Sequence, residues 1–297
     1  MIGVGDILDI LKITVWSGGL KGERPLSIIL IASVGGGKSS MIRKTHQKGV
    51  VAKTSVLGDD GIKIGETEIR HVKGSVLYTT NTSPYILYTR YGQALKSGTI
   101  RHIAIPDFLN ILNLPKYSVS SVLNFYNSLI EEGLMTIESR SGAFLSEIPI
   151  VVGLITSIAK QDFGKEDVTE RWERWGAEGF LSRALPVSFS YGKGTAAKIR
   201  GSVKKKEYLR ELESFDIVLP EKRVEVGIPM VLANVIENVA VATKDLNDEL
   251  GARRQKQLQV FCMANALMNG RDEVAKEDVQ KLLDYEKYFN YHCSAEI

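Results

Sequence analysis

The sequence predicts an α/β fold in which a parallel sheet core is followed by an all-helical C-terminal lid. Apolar runs of β-forming residues, Ile28–Ile31 and Ile148–Ile155, are typical of parallel strands that are buried on both faces. Segments with helical periodicity separate such runs. From Pro229 onward every segment has helical spacing, in stretches 230–243, roughly 246–269 and 276–290. We therefore expect a core over residues 1–215 and a helical lid over 216–297.

The core elements are predicted in order from the spacing of apolar residues and from turn residues. Residues 50–105 are rich in Thr, Val, Tyr and Gly, which favours several short strands. Between 118 and 132, apolar residues share one helical face. The expected core elements are an amphipathic helix at 7–13 closed by Gly18-Gly19, a helix at 41–48, strands within 50–105 that include 101–105, a helix at 118–132, a hairpin of 134–138 with 143–148, a strand at 148–155, a charged helix at 166–182 and a basic helix at 198–213.

A glycine-rich loop follows the first apolar strand. The stretch from Ala32 to Ser39 fits the pattern GxxxxGK[ST] except at its first position, where Ala32 replaces Gly. Glycines let successive backbone N–H groups turn towards an anion. A lysine at this position reaches the β- and γ-phosphates, and the hydroxyl that follows it takes a coordination site of Mg²⁺. The loop therefore predicts a nucleotide-phosphate site built from Val34, Gly35, Gly36, Gly37, Lys38, Ser39 and Ser40.

Composition excludes several classes of protein. With 297 residues, 44% hydrophobic and 25% charged, the chain resembles an ordinary globular protein. A net charge of +3 is too small to imply a nucleic-acid partner by itself. The two cysteines, Cys262 and Cys293, match no metal-binding spacing, so we expect a reducing compartment with Cys262 in the core. No run of 18 apolar residues occurs, and we expect no membrane partner and a cytoplasmic location.

The order of motifs from roughly residue 15 to 290 resembles the AAA+ ATPases, and more narrowly the motor domain of the minichromosome maintenance (MCM) replicative helicases. The motifs that carry the resemblance are Gly18–Gly22 ahead of the nucleotide strand, the phosphate loop, an acidic motif near Asp107, the hairpin within 118–142, Phe180–Arg183 and the lid helices around 264–279. The resemblance implies a P-loop AAA+ core with a helical lid, ATP and Mg²⁺ as cofactors, and a ring, expected to be a hexamer, with DNA in its central channel.

The acidic motif departs from the family pattern of Asp followed by Glu. The strand here ends with Pro106, Asp107 and Phe108. In one register Asp107 orders Mg²⁺ and Phe108 replaces the base; in the other, Asp107 is the base and Pro106 replaces the metal ligand. The residues alone leave both registers open. In either case one carboxylate serves two tasks, or hydrolysis is slow.

The resemblance also implies residues that touch the terminal phosphate or the DNA. Thr156, or its neighbour Ser157, is expected to end a strand and hold the attacking water, where the family usually has Asn. Arg183 resembles an arginine finger, which completes the site of a neighbouring subunit. Arg253 and Arg254 begin a lid helix where the second sensor arginine is expected; the sequence leaves both registers open, and Arg254 is taken as the candidate. Arg140, at the hairpin tip, is expected to contact DNA in the channel.

Two hypotheses for function follow. The first is a ring-forming motor that depends on Mg²⁺ and ATP and acts on DNA as a minimal helicase or translocase. The resemblance covers only the motor domain, as in small replication modules of mobile elements or viruses. We therefore expect the protein to act at the nucleoid or at a viral replication site. The alternative is an assembly platform with low ATPase activity, which binds nucleotide and recruits a replication or mobile-element protein. A protein remodeller of the chaperone type is less favoured, because the hairpin tip has no aromatic residue.

Overall fold

The computed structural model describes residues 3–46, 48–57, 63–72, 75–79, 84–112, 116–139, 142–160, 179–204, 214–243, 251–292 and 295–297. Within these ranges the strands are β1 Ile28–Ala32, β2 Lys48–Leu57, β3 Lys63–Val72, β4 Val76–Tyr78, β5 His102–Ile105, β6 Leu134–Ser139, β7 Gly142–Ile150, β8 Gly153–Ala159 and β9 Leu185–Ser188. The helices are α1 Gly5–Ser17, α2 Lys38–Arg43, α3 Pro84–Lys96, α4 Leu109–Leu112, α5 Lys116–Asn127, α6 Phe180–Arg183, α7 Lys193–Lys204, α8 Met230–Ala242, α9 Ala252–Met268 and α10 Lys276–Tyr285.

In the described part of the chain, five strands form a parallel sheet in the order β4-β5-β8-β1-β9. Strand β8 lies between the strand that leads into the glycine-rich loop and the strand that leads into Asp107. Its register pairs Ile155 with Ile28 on one side and with Ala104 on the other. Since all five strands run in the same direction, the glycine-rich loop and the Asp107 segment leave the sheet at the same edge.

One layer of helices covers each face of the sheet. The side chains of β1, which point alternately to the two faces, show this directly. Ile28, Leu30 and Ala32 pack into a cluster formed with α1, α2 and the helices α8 to α10. Ile29 and Ile31 point to the opposite face, into a cluster formed with α3, α5 and α6. A strand that is apolar at every position is the expected result of burial on both faces. The predicted α/β fold with a parallel sheet and a helical C-terminal region is confirmed.

Two antiparallel hairpins lie outside the central sheet. One joins β2 to β3, and the other joins β6 to β7. The second confirms the hairpin predicted from residues 134–138 and 143–148. Arg140, the residue expected to contact DNA, lies outside the described residues.

The C-terminal helices α8, α9 and α10 confirm the helices predicted in the lid. The N-terminal helix α1 packs against α9 and α10, within the same apolar cluster. Polar contacts reinforce this packing, because Lys281 and Tyr285 donate to Asp9 at 3.1 and 3.2 Å, and Tyr288 donates to Asp6 at 2.7 Å. The division into 1–215 and 216–297 remains a prediction. None of the described helices has the length and apolar content that a membrane span requires.

Three predicted elements were wrong in extent or type. The run 148–155 is divided between β7 and β8, which belong to different sheets. Residues 84–96 form α3 rather than strands, because Leu87, Tyr91 and Leu95 recur at helical spacing and pack on one face of the sheet. The helix predicted at 41–48 ends at Arg43, and β2 begins at Lys48. Of the predicted helix at 166–182 only residues 179–182 are described, and α6 begins there at Phe180. Of the predicted helix at 198–213 only residues 198–204 are described, and they belong to α7, which begins at Lys193. The remaining parts of both predictions lie outside the described residues.

Candidate active site

The glycine-rich loop leaves the sheet at the carboxyl end of β1 and turns back on itself before α2. Gly35 and Gly37 have φ of +74° and +73°, in the left-handed region that favours glycine. A Cβ on Gly36 would lie 2.8 Å from the carbonyl oxygen of Ser33. The loop therefore keeps its narrow curve only with small residues at these positions. Such a backbone concavity is suited to the phosphates of a nucleotide.

Lys38 lies across this loop. Its Nζ donates to the carbonyl oxygens of Ala32 and Ser33, both at 2.9 Å, and its side chain is only 8% exposed. Ala32 pairs with Ala159 as the last residue of β1, so the extended backbone accommodates the Cβ that replaces the usual glycine. The ammonium group is thus held at the phosphate cradle by two weak acceptors, which an anion could displace.

Tyr191 is a part of this site that sequence reasoning missed. Its hydroxyl donates to the carbonyl oxygen of Gly36 at 2.7 Å. Burial raises the pKa of Tyr191, which keeps the hydroxyl protonated as a donor. Tyr191 follows β9, the neighbour of β1, and this adjacency in the sheet was the signal that could have identified it.

Ser39 and the end of β5 meet across the sheet edge. Ser39 Oγ donates to the carbonyl oxygen of Pro106 at 3.4 Å, and Ser157 Oγ donates to the same oxygen at 2.5 Å. Asp107 is exposed, and its Oδ1 accepts from the backbone N–H of Leu109 at 3.1 Å. Phe108 is fully buried against Phe180. At the end of β5, the backbone carbonyl of Pro106 thus faces the Ser39 hydroxyl, and the Asp107 carboxylate points to solvent. The role of Asp107 in either register stays a prediction.

The donors at this edge fit a divalent cation only in part. Within the described ranges, no group of three or more His, Cys, Asp or Glu side chains could hold a metal ion. Ser39 Oγ and the exposed Asp107 carboxylate are oxygen donors of the kind that Mg²⁺ prefers. Mg²⁺ usually takes one or two carboxylates together with substrate phosphates. These two side chains would therefore hold Mg²⁺ only together with a bound triphosphate.

Thr156 does not end its strand, as the sequence analysis expected. Strand β8 continues to Ala159, and the buried hydroxyl of Thr156 donates to the carbonyl oxygen of Ile105 at 2.8 Å. Its role as a sensor of the attacking water stays a prediction. The first residue after β8 is Lys160, which is exposed and follows the Ala159–Ala32 pair. The sequence did not predict Lys160 as the residue that follows the strand, because the apolar pattern does not show where β8 ends.

Arg183 lies in a cluster with Arg253 around one carboxylate, that of Glu131. The Nε atoms of both arginines form ion pairs with Glu131, and the Arg253 distance is 3.3 Å. Arg183 Nη1 donates to the carbonyl oxygen of Gly179 at 2.7 Å, and Arg253 Nη1 donates to Ser182 Oγ at 2.8 Å. The cluster borders a pocket of about 390 Å³. Arg254, the residue assigned as second sensor, is 3% exposed, whereas the adjacent Arg253 faces this pocket.

The arginine cluster and the phosphate loop lie at opposite ends of the sheet. Arg183 lies two residues before Leu185, the first residue of β9, and Leu185 donates its N–H to the carbonyl oxygen of Ser27 just before β1. The loop begins after Ala32, at the other end of β1. Five residues of strand separate the two positions, which is on the order of 15 Å. The structure thus brings the phosphate loop and the Asp107 segment together, and it brings Arg183 and Arg253 together elsewhere.

Comparison with known proteins agrees with this architecture. No protein-family model and no curated protein sequence matches the chain. A solved structure of a candidate ATPase from Cytophaga hutchinsonii ATCC 33406 is similar, with a TM-score of 0.51 and 14% sequence identity. The match covers 98% of this chain and 82% of that one. At this identity the likeness shows a shared fold, which is an α/β fold with a parallel sheet core and a helical C-terminal region.

Proposed function

We propose that this protein is an ATPase that depends on Mg²⁺, completes its active site between subunits of a ring, expected to be a hexamer, and acts on DNA as a minimal helicase or translocase. The similarity in fold to a candidate ATPase supports activity that depends on a nucleotide. The oligomer, the DNA substrate and an intracellular location, in the cytoplasm, nucleoid or viral replication site, are parts of this proposal.

The observation that carries the proposal is the separation of Arg183 from the phosphate loop. An arginine side chain reaches about 7 Å from its Cα, which is less than the length of β1, on the order of 15 Å. Arg183 and Arg253 therefore contact no phosphate held by the loop of their own chain. If these guanidinium groups stabilise the charge on a transferring phosphoryl group, they do so for an adjacent copy.

Each residue then has a defined task. Backbone N–H groups from Gly35 to Ser39 bind the phosphates, and the Lys38 ammonium exchanges its two carbonyl acceptors for phosphate oxygens. ATP with Mg²⁺ supplies the phosphoanhydride bond that is cleaved. Ser39 Oγ and the carboxylate of Asp107 would hold the cation together with the phosphates, and the Asp107 carboxylate would position the attacking water. Arg183 enters from the neighbour and balances the developing charge.

Nucleotide binding is tested by Lys38→Ala, with Arg43→Ala as the matched control. Both residues lie in α2, but Arg43 is exposed, whereas Lys38 points into the loop. We expect Lys38→Ala to lower the affinity for a fluorescent ATP analogue by about 10- to 100-fold, because a contact to a charged group is lost. Arg43→Ala should bind as the parent does. Equal affinity in all three proteins would refute the phosphate-loop assignment.

The DNA part of the proposal depends on the hairpin formed by β6 and β7, to which the family resemblance assigns the contact with DNA. Arg140, which the sequence predicts at the tip of this hairpin, would contact strand phosphates without regard to sequence. We expect single-stranded DNA to stimulate ATP hydrolysis at low salt, and Arg140→Ala to remove the stimulation while the basal rate remains. A basal rate that does not respond to DNA of any form would contradict this part alone.

A second function, an assembly platform with little turnover, is favoured by the contact between Ser39 and Pro106. A backbone carbonyl, rather than a carboxylate, faces the hydroxyl that would bind the metal. With one carboxylate at the strand end, hydrolysis is slow while binding is retained. The platform predicts ring or filament formation on nucleotide binding, with little turnover of ATP, and recruitment of a replication or mobile-element protein. Steady-state ATPase assays and sizing with and without nucleotide separate the two functions.

A further inference from the structure

Glu131 lies in a rigid turn that directs its carboxylate at the arginine cluster. The end of α5 widens into a π-helical turn, Ser128–Glu132, a geometry that is frequent at functional sites. Leu129 and Ile130 anchor the turn in the core, and the N–H of Gly133 closes it on the carbonyl oxygen of Ser128 at 2.6 Å. With only a fifth of its side chain exposed, Glu131 is fixed in place.

The Glu131 carboxylate contacts both arginines through the Nε atom of each guanidinium group. Arg183 and Arg253 both present Nε to Glu131, and each Nη1 donates to a neighbouring oxygen. Among the contacts of the described residues, Nη2 of both arginines makes none. Each of the two guanidinium groups is therefore held through Nε and Nη1, and its Nη2 is left as a donor for a ligand. A planar guanidinium held this way binds phosphate oxygens with little further loss of entropy.

The charge around the pocket favours an anion. Four cations, Arg24, Arg183, Arg253 and Lys256, line it together with the carboxylates of Glu23 and Glu131. Lys256 Nζ donates to Glu23 at 2.7 Å, and Arg24 lies 3.5 Å from Glu131. The four cations and two carboxylates leave the pocket with a net charge of about +2. Without Glu131, the two closely placed arginines would repel each other.

We infer that Glu131 is the positioning residue that sets Arg183 and Arg253 as a pair for the terminal phosphate of a nucleotide held by an adjacent copy. This inference rests on the proposed function, since it assigns the ligand of the same intersubunit site. Glu131 contacts the two arginines and not the nucleotide. Its removal therefore acts only through the subunit that donates the arginines.

Mixed assemblies test this direction. Lys38→Ala subunits donate intact arginines, and Arg183→Ala subunits donate an intact loop, so a mixture of the two recovers ATP hydrolysis. Glu131→Gln placed on the Lys38→Ala subunit should lower the recovered rate by about 10- to 100-fold, the cost of a misplacement of about 1 Å. The same change on the Arg183→Ala subunit should leave it unaltered. Glu132→Gln, which alters the adjacent exposed carboxylate, is the matched control and should have no effect on either subunit.

The outcomes separate the inference from the proposed function. The positioning role of Glu131 is overturned if Glu131→Gln lowers the recovered hydrolysis rate equally whichever subunit carries it, or if it lowers the rate on neither subunit. A mixture that recovers no activity even with Glu131 intact overturns the proposed function, and the inference with it. Glu131→Asp keeps the charge and should recover part of the rate, which separates positioning from a general loss of folding. Parallel thermal unfolding and ATP-analogue binding on the Arg183→Ala background verify that Glu131→Gln subunits fold.

Discussion

Phe108 and Phe180 lie face to face, with ring centroids 5.0 Å apart and planes within 2° of parallel. Phe108 follows Asp107 directly, and Phe180 begins the short helix that ends at Arg183. One stacked pair thus joins the segment that carries Asp107 to the helix that carries Arg183. Both rings are fully buried.

Phe108→Ala should reduce the free energy of unfolding by about 3–5 kcal/mol, since it removes a large buried side chain and leaves a cavity. Urea denaturation followed by circular dichroism measures this. Phe125→Ala is the control, because that ring is only half buried against Tyr126. A loss for Phe108→Ala no larger than for Phe125→Ala would be inconsistent with the stacked core contact.

Asp107→Asn should lower the rate of ATP hydrolysis by about 100-fold or more while ATP binding persists, because the amide cannot accept a proton from the attacking water. Asn retains an oxygen that can accept from the N–H of Leu109, so the turn that leads into α4 is kept. Single-turnover hydrolysis and equilibrium binding, measured side by side, give the two values. An unchanged hydrolysis rate would remove Asp107 from the chemistry.

Gly36→Ala should weaken ATP binding, because the added Cβ would lie 2.8 Å from the carbonyl oxygen of Ser33 and open the cradle. Gly194→Ala in α7 is the matched control, since its Cβ would meet nothing within 4 Å. That control should bind ATP normally and gain about 0.5–1 kcal/mol of stability as a helical alanine. Titration with a fluorescent nucleotide compares them, and equal affinities would show that the narrow loop is not required.

His102 should make the protein less stable in acid. Burial lowers the pKa of His102 from its ordinary value to about 3, and the nearby charges of Arg101 and Arg223 act in the same direction. The unfolded chain takes up this proton near pH 6.5, which the folded chain does not. The free energy of unfolding therefore falls as the pH drops from 6.5 towards 3, by at most about 1.4 kcal/mol per pH unit.

His102→Gln isolates this effect. Urea unfolding at several pH values between 8 and 4 should give a shallower decline for the variant than for the parent, because all carboxylates are common to both. At pH 8 the difference between the two proteins reports packing alone. Parallel curves over the whole range would show that the pKa of His102 is the same in the folded and the unfolded protein, against the effect of burial.

The sequence predicted the fold through patterns that burial imposes directly. The apolar run before the glycine-rich loop, the helical face of 118–132 and the three lid helices all follow from which side chains avoid water. The pairing of β8 between β1 and β5 does not, because strand order depends on contacts between distant segments. For the same reason the run 148–155 concealed a break at Val151 and Val152, where the chain leaves one sheet and enters another.

The candidate site was predicted where a motif fixes local geometry and was missed where partners come from elsewhere in the chain. The glycines and Lys38 follow from spacing alone. Tyr191 and Glu131 carry no motif, and only the strand order and the π-helical turn bring them to their contacts. The sequence leaves two registers for Asp107, and the choice between them stays a prediction, although the structure shows that Phe108 is buried and that Ser39 contacts Pro106.

The packing of α1 has a consequence for how this chain can be dissected. The first helix covers a face of α9, and Asp6 and Asp9 bond to the C-terminal segment. A fragment that starts at residue 216 would leave that face bare to solvent and prone to self-association. The C-terminal helices should therefore not be expressed alone. A fusion that also contains residues 5–17 would restore the helix that packs on this face.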